Sequence, residues 1–265
     1  MKGISIDKKD LFIVTCLGAG MIFLAVILCR TAVRASETAI TASEKLCPIY
    51  SVEREDGKIA VTFNAAWEGD DTAAILDILE KHAVRSTFFI VGDFARESPE
   101  SVRQIAARGH EIANHSDAHK LFSQLDTGQL DREISGCAKV LKDLVAEVSN
   151  LVRVPSGDYN DRVVKRICEL GYYPIQWDVD SLDWKNPGAE NMIERVCEKS
   201  QSGSILLFHV GAKDTLAALD RILSGLKEKG LQPVTVSELI YKEDYILDFS
   251  GRQHKIASKK EETSQ

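Results

Sequence analysis

The sequence contains no Cys-x-x-Cys pair, no internal repeat, and no G-x-G-x-x-G or Walker-type loop after its first predicted strand. The first absence argues against a zinc site built on cysteines. The last argues against a nucleotide-binding sheet, whose glycine-rich turn lets backbone N–H groups approach a phosphate. Positive charge is not in excess either, with 33 Lys and Arg against 40 Asp and Glu and a net charge of −7. A general nucleic-acid binder needs a basic face to displace counterions, so that class is excluded as a partner. Of the six cysteines, Cys16 and Cys29 lie in an apolar N-terminal run and Cys47 shortly after it. Cys137, Cys168 and Cys197 fall on the apolar faces of predicted helices, where free thiols serve as small buried hydrophobes.

What is present is globular in composition, 44% hydrophobic and 28% charged. Residues 11–29 form an uncharged run of 19 residues between Lys8, Lys9 and Asp10 on one side and Arg30 on the other. A helix of that length reaches about 28 Å, enough to cross a hydrocarbon core. The apolar part of a cleaved signal peptide is usually only about 7–15 residues, and Val33-Arg34-Ala35 is a mediocre cleavage site, so an uncleaved anchor is expected. The expected organisation is an anchor at 1–30, a stalk rich in Ala, Ser, Thr and Glu at 31–50, a domain at 51–248 and a polar tail at 249–265, with 251–265 disordered. Flanking charge is nearly balanced, so the domain is placed outside the cell membrane on the function implied below.

From Lys58 onward, strand and helix patterns alternate. Apolar, β-branched strands are expected at Lys58–Phe63, Thr87–Val91, His110–Asn114, Leu151–Val154, Tyr173–Val179, Ser204–His209 and Pro233–Val236. Helical spacing joins Ile75, Ile78, Leu79 and His82, then Leu130, Ile134, Cys137, Leu141 and Leu144, then Val163, Val164, Ile167 and Cys168. It recurs at Ile193–Cys197 and at Leu216, Leu219, Ile222, Leu223 and Leu226. Ser98-Pro99-Glu100 reads as a helix start with Ser98 as N-cap. Such alternation implies an α/β fold with a mainly parallel sheet. Its number of units fits a (β/α) barrel, complete or distorted, with an open doubly wound sheet as the alternative.

In such barrels the working side chains sit where strands end. Asn64, His115, His119, Arg153, Pro155, Asp178, Asp180, Asp183, Trp184 and His209 all fall at such points. In His115-Ser-Asp-Ala-His119, two histidines four apart on a helical turn can share a metal ion. His209 closes an apolar strand, and as a general acid it needs an acidic neighbour such as Asp180 or Asp183.

The stretch from about Lys58 to Asp248 resembles the NodB-homology polysaccharide deacetylases, and within them a sporulation-associated branch. The resemblance rests on Asn114-His115-Ser-Asp-Ala-His119, Arg153-Val-Pro155-Ser-Gly157, Asp180-Ser-Leu-Asp183-Trp184 and Leu207-Phe-His209, in that order. Lys120 stands where the family often has proline. The resemblance implies a membrane-anchored, metal-dependent hydrolase removing N-acetyl groups from a cell-wall glycan such as peptidoglycan. It also implies a divalent ion, often zinc, on His115 and His119, with His209 as the acid. Arg153 and Asp183 would orient charge, Pro155 and Gly157 would shape the loop, and Trp184 would wall the acetyl pocket.

One motif departs from the pattern. The family reads Thr-Phe-Asp-Asp where this chain has Thr62-Phe63-Asn64-Ala65. Asn64 stands where the catalytic base belongs, and a neutral amide cannot take up a proton. Ala65 stands where the carboxylate ligand belongs. Glu68, Asp70 and Asp71 in the next loop are candidate substitutes. A catalytically impaired glycan-binding pseudoenzyme and an O-acetyl sugar esterase are therefore the alternatives to an active N-deacetylase.

Overall fold

The computed structural model describes residues 46–66, 69 and 71–256. The expected anchor, most of the stalk, Trp67, Glu68, Asp70 and the last residues of the tail lie outside the described residues. Among the described residues no helix is long and apolar enough to cross a membrane.

In chain order the elements are β1 (Ser51–Val52), β2 (Lys58–Ala65), α1 (Thr72–Lys81), β3 (Thr87–Ile90), α2 (Gly92–Glu97), α3 (Pro99–Ala107), β4 (Glu111–Asn114), α4 (Thr127–Leu144), β5 (Leu151–Val152), α5 (Asp161–Glu169), β6 (Tyr173–Pro174), β7 (Val179–Asp180), α6 (Ala189–Lys199), β8 (Ile205–His209), α7 (Thr215–Glu228), β9 (Gln232–Val234), α8 (Val236–Leu239), β10 (Tyr245–Leu247) and β11 (Arg252–Lys255). The main sheet runs β6-β5-β4-β3-β2-β8-β7, with β9 also on β2, and its pairs are parallel. The end strands β6 and β7 are consecutive in the chain. The curled sheet is therefore a distorted (β/α) barrel left open at that seam.

The period of two along each strand sorts residues between two layers. From β2, Ile59, Val61, Phe63 and Ala65 join the large cluster under the helices, with Ile75, Leu79, Phe88, Ile90, Leu206, Phe208, Ile222 and Leu226. Ala60 instead joins Phe89, Ala113, Leu151, Ile175 and Ile205 in a second cluster on the other face of the sheet. Thr62 and Asn64 share the parity of Ala60, His115 that of Ala113, Arg153 that of Leu151, and His209 that of Ile205. That second face is thus apolar at its lower end and polar at the carboxyl ends of the strands.

Several expectations are corrected. The expected strand Tyr173–Val179 is two short strands, β6 and β7, because residues 175–178 cross the open seam from one sheet edge to the other. Ser98 makes no capping hydrogen bond and instead joins α2, which sequence reading missed, to α3. The real capping boxes are Asp126/Gln129 and Thr235/Glu238. The expected tail is not wholly disordered, because β11 pairs with both β1 and β10. The stalk ends before residue 50, since Ile49 is buried and bridges Ile175. Cys168 is exposed, not buried.

Two stability predictions arise here. Gly203 has φ +87°, and an added Cβ would lie 1.6 Å from the Val52 carbonyl oxygen, a backbone atom that cannot swing away. Gly203→Ala should break the β1 contact, in which the Val52 N–H donates to the Gly203 carbonyl at 2.9 Å, and cost about 4 kcal/mol or more. Urea denaturation within 1 kcal/mol of wild type would contradict this. His110 is buried, and its Nδ1 accepts from the Ser86 N–H at 3.1 Å. Burial, then the charges of Arg108 and Arg85, pull its pKa down to about 4. Below pH 6.5 the unfolded chain gains a proton that the folded one refuses. Stability should therefore fall by on the order of 2 kcal/mol between pH 6.5 and 4. Denaturation midpoints across that window should show the slope, and His110→Gln, which keeps an acceptor but cannot titrate, should flatten it.

Candidate active site

The carboxyl ends of the parallel strands bring the polar residues together through register. Asn64 is paired with His209 across β2 and β8, and Asn114, next to His115, is paired with Val152, next to Arg153.

The histidine turn follows β4. His115 is buried, and its Nδ1 lies 2.9 Å from the Arg153 carbonyl oxygen. A carbonyl only accepts, so Nδ1 carries the proton and Nε2 presents a lone pair. That Nε2 is buried and has no hydrogen-bond partner in the protein. Burial, then the neighbouring His119, holds the His115 pKa well below the usual imidazole range. The His119 ring lies edge-on to His115 at 5.0 Å, and its pKa is also lowered, by burial and then by His209. Ser116 and His119 have φ of +76° and +52°. The turn is thus not the regular helical turn expected from the spacing; left-handed residues aim the two rings at each other.

The orphaned Nε2 of His115 and the adjacent His119 ring fit a metal ion as two neutral imidazole donors. Among the described residues no three His, Cys, Asp or Glu side chains converge on one point. The methyl group of Ala65 supplies no ligand, so among the described residues the set holds two imidazoles.

Arg153 is wholly buried. Its Nη1 donates to Asn64 Oδ1 at 3.0 Å and to Thr62 Oγ1 at 2.9 Å, and its Nη2 to the Gln176 carbonyl at 3.2 Å. The guanidinium carbon sits 3.9 Å from the Phe89 ring centroid, a cation–π contact. Burial pulls the arginine pKa well down, and among the described residues no acid offsets it. Asn64 Oδ1 is thus committed to a cation whose partners among the described residues are neutral. Sequence reading missed Thr62 and Gln176; a threonine in an otherwise apolar strand was the available signal for the first.

Asp183 is also wholly buried. Its Oδ1 lies 2.7 Å from His209 Nδ1 and accepts from the Trp184 N–H at 2.8 Å. Its Oδ2 accepts from the His209 N–H at 2.7 Å and from Thr215 Oγ1 at 2.8 Å. A carboxylate takes Nδ1–H, so the other ring nitrogen of His209 is the one available for proton transfer. Leu182, at φ +60°, swings Asp183 into place. Of the two aspartates expected to serve His209, Asp183 is the one that pairs with it and Asp180 turns elsewhere. Asp180 accepts from the Leu182 N–H at 2.8 Å. Asp178 accepts from Ser204 Oγ and the Ile205 N–H, and burial raises its pKa to about 6.

Pro155 and Gly157 form one turn of 3-10 helix with Ser156 left-handed between them, separated from Arg153 by Val154 alone. Trp184 is 47% exposed, with Lys185 Nζ 4.6 Å from its ring centroid. Asp71 Oδ1 accepts from the Gly211 N–H at 2.7 Å, two residues beyond His209. Glu68 and Asp70 lie outside the described residues. A polar concavity of about 880 Å³, bounded by Arg85, His110, Lys142 and Asn150 among others, opens at the opposite end of the sheet and contains none of these residues.

This arrangement can be compared with known proteins. The polysaccharide deacetylase family matches residues 51–175. A peptidoglycan-N-acetylglucosamine deacetylase of Bacillus cereus is 36% identical over 196 residues, covering 72% of this chain and 92% of its own. The chain belongs to the polysaccharide deacetylase family. Another relative is the peptidoglycan-N-acetylmuramic acid deacetylase PdaA of Bacillus subtilis, 28% identical over 76% of this chain and 78% of its own. Not every structural neighbour is active. BA3943, a CE4 family pseudoenzyme from Bacillus anthracis, is 30% identical with TM-score 0.70, covering 73% of this chain and 68% of its own. A BA3943 mutant with restored enzymatic activity is equally similar, at 30% identity and TM-score 0.70 over 73% of this chain and 71% of that one.

Proposed function

We propose that this domain binds an N-acetylated cell-wall glycan of the peptidoglycan type at the carboxyl end of its sheet, and that its turnover of that glycan is strongly impaired. The observation that carries the reading is the Arg153–Asn64 contact. The group at the base position is a neutral amide already accepting from a buried guanidinium. The substrate class comes from the named activities of the relatives. The retained groups are the His115–His119 pair, the Asp183–His209 pair and the Arg153 turn.

A divalent ion such as zinc, bound on His115 and His119, would polarise an acetamide carbonyl and acidify a water. This chain's own residues contribute the rest. Asp183 holds His209 in the tautomer that can give a proton to a departing amine. The turn at Pro155–Gly157 shapes the adjacent loop, and Trp184, whose N–H donates to Asp183, offers an exposed ring. Removing a positioned base typically costs about 10²–10⁴ in rate.

Asp71 supports a second reading, an active hydrolase whose base comes from the loop after β2, because its carboxylate is anchored beside the His209 strand end. The 19-residue apolar run at 11–29 supports anchoring to a cell membrane with the domain outside; extraction of the full chain from membranes by detergent but not by carbonate tests it.

The deciding experiment pairs glycan binding with acetate release by the wild-type protein on N-acetylglucosamine oligomers and on peptidoglycan, with zinc added. Binding with release at least about 10²-fold below an active relative is expected. Release at a relative's rate, abolished by Asp71→Asn, would establish the second reading. O-acetyl substrates turned over in preference would point to an esterase.

A further inference from the structure

We infer that Glu133, on α4, is a positioning residue for the two histidines, and that Lys120 acts through it. Local sequence starts the histidine turn, because Asn114 Oδ1 accepts from the Ser116 N–H at 2.9 Å, and the rest of its shape depends on contacts from elsewhere in the chain. Residues 115–119 include two left-handed side-chain-bearing residues, Ser116 and His119. Such conformations cost about 1–3 kcal/mol each and persist only where surrounding contacts over-determine them.

One carboxylate supplies much of that determination. Glu133 is 5% exposed and reaches the turn from across the sheet-facing side of α4. Its Oε2 accepts from Ser116 Oγ at 2.7 Å and from the Ala118 N–H at 2.9 Å. Its Oε1 pairs with Lys120 Nζ at 2.8 Å. Three consecutive even-numbered positions of the turn are thus gathered on one side chain, and His119 lies between the last two. The opposite side of the turn is held by backbone: the Gly92 N–H donates to the Ser116 carbonyl at 3.0 Å and the Asp93 N–H to the Asp117 carbonyl at 2.9 Å. Glu133 and the start of α2 grip the loop from both sides, so the His119 ring is presented to His115. Lys120 replaces the proline frequent at this position in the family. Its ion pair with a buried carboxylate fixes the exit of the turn by a contact where proline would fix it by its ring.

The inference rests on His115 and His119 being the working pair of the proposed site, and the test separates the two. In the full chain, the ring-to-ring nuclear Overhauser contact between His115 and His119 is recorded alongside zinc affinity by calorimetry. Glu133→Leu should abolish the ring contact and weaken zinc binding by about 10–100-fold, the usual cost of losing a group that orients a metal ligand. Glu133→Gln still accepts from Ser116 and Ala118 and should keep the ring contact. If Glu133→Leu fails to fold, Lys120→Met decides: a weakened ring contact supports the inference. An unchanged ring contact in whichever of these two variants folds overturns it. Should the wild type take up no zinc, the metal reading fails, while the ring contact still decides the role of Glu133.

Discussion

Asn64→Asp is expected to make the protein more stable and to raise acetate release by about 10²-fold or more. Both effects come from one contact. A carboxylate at 64 would accept from Arg153 Nη1 where the amide oxygen does so now, at 3.0 Å. The guanidinium is fully buried and has no acidic partner among the described residues. Removing one member of a buried ion pair costs about 3–5 kcal/mol, because the other charge is left uncompensated. Here the dipoles of Asn64, Thr62 and Gln176 and the face of Phe89 already recover part of that, so a gain of about 2 kcal/mol is expected, or about 4–8 °C in Tm. The arginine would keep the new carboxylate ionised at neutral pH, as a proton acceptor requires. Thermal denaturation and acetate release measured on one preparation test the pair. A variant that is less stable than wild type would mean that Arg153 is compensated in some other way. Stabilisation without activity would place the block at Ala65 and the missing ligand, which Ala65→Asp on top of Asn64→Asp then addresses.

Asp183→Asn is expected to destabilise the fold by about 3 kcal/mol and to remove whatever turnover Asn64→Asp confers. The Asp183 carboxylate, itself without solvent exposure, accepts four hydrogen bonds, two from His209, one from Trp184 and one from Thr215. An amide offers an oxygen to only one side of that set. Its NH₂ group must face N–H or O–H donors on the other, leaving buried donors unpaired. The His209 tautomer is then no longer fixed, so the double variant Asn64→Asp/Asp183→Asn should release acetate at the wild-type background. Urea denaturation within 1 kcal/mol of wild type, or full activity of the double variant, would show that Asp183 neither supports the loop nor orients His209.

The motif residues were legible in the sequence because each is a polar outlier at the end of an apolar run. His209 after Ile205–Phe208 and Asn64 after Ile59–Phe63 break the hydrophobic pattern where a strand must stop. Parity then fixes the face: 60, 62 and 64, or 205, 207 and 209, point the same way whatever the fold does at longer range. The departure at Asn64 and Ala65 was equally visible, since it is a matter of residue identity.

What sequence could not supply was partnership across the chain. Glu133 lies on an amphipathic helix at a position that reads as its polar edge; only tertiary packing turns it toward the histidine turn. Gln176 and Thr215 meet Arg153 and Asp183 only because parallel register aligns the ends of distant strands. The short strands β6, β7, β10 and β11 carry too few residues for a periodic signal, and β6, β7 and β11 pair with strands far away in sequence. Sequence alone thus determined which residues are present at the site and which are missing. The tertiary structure decided that Asn64 faces the buried Arg153, because the charge balance of a site is set by what surrounds each group in space, and a linear pattern does not contain that.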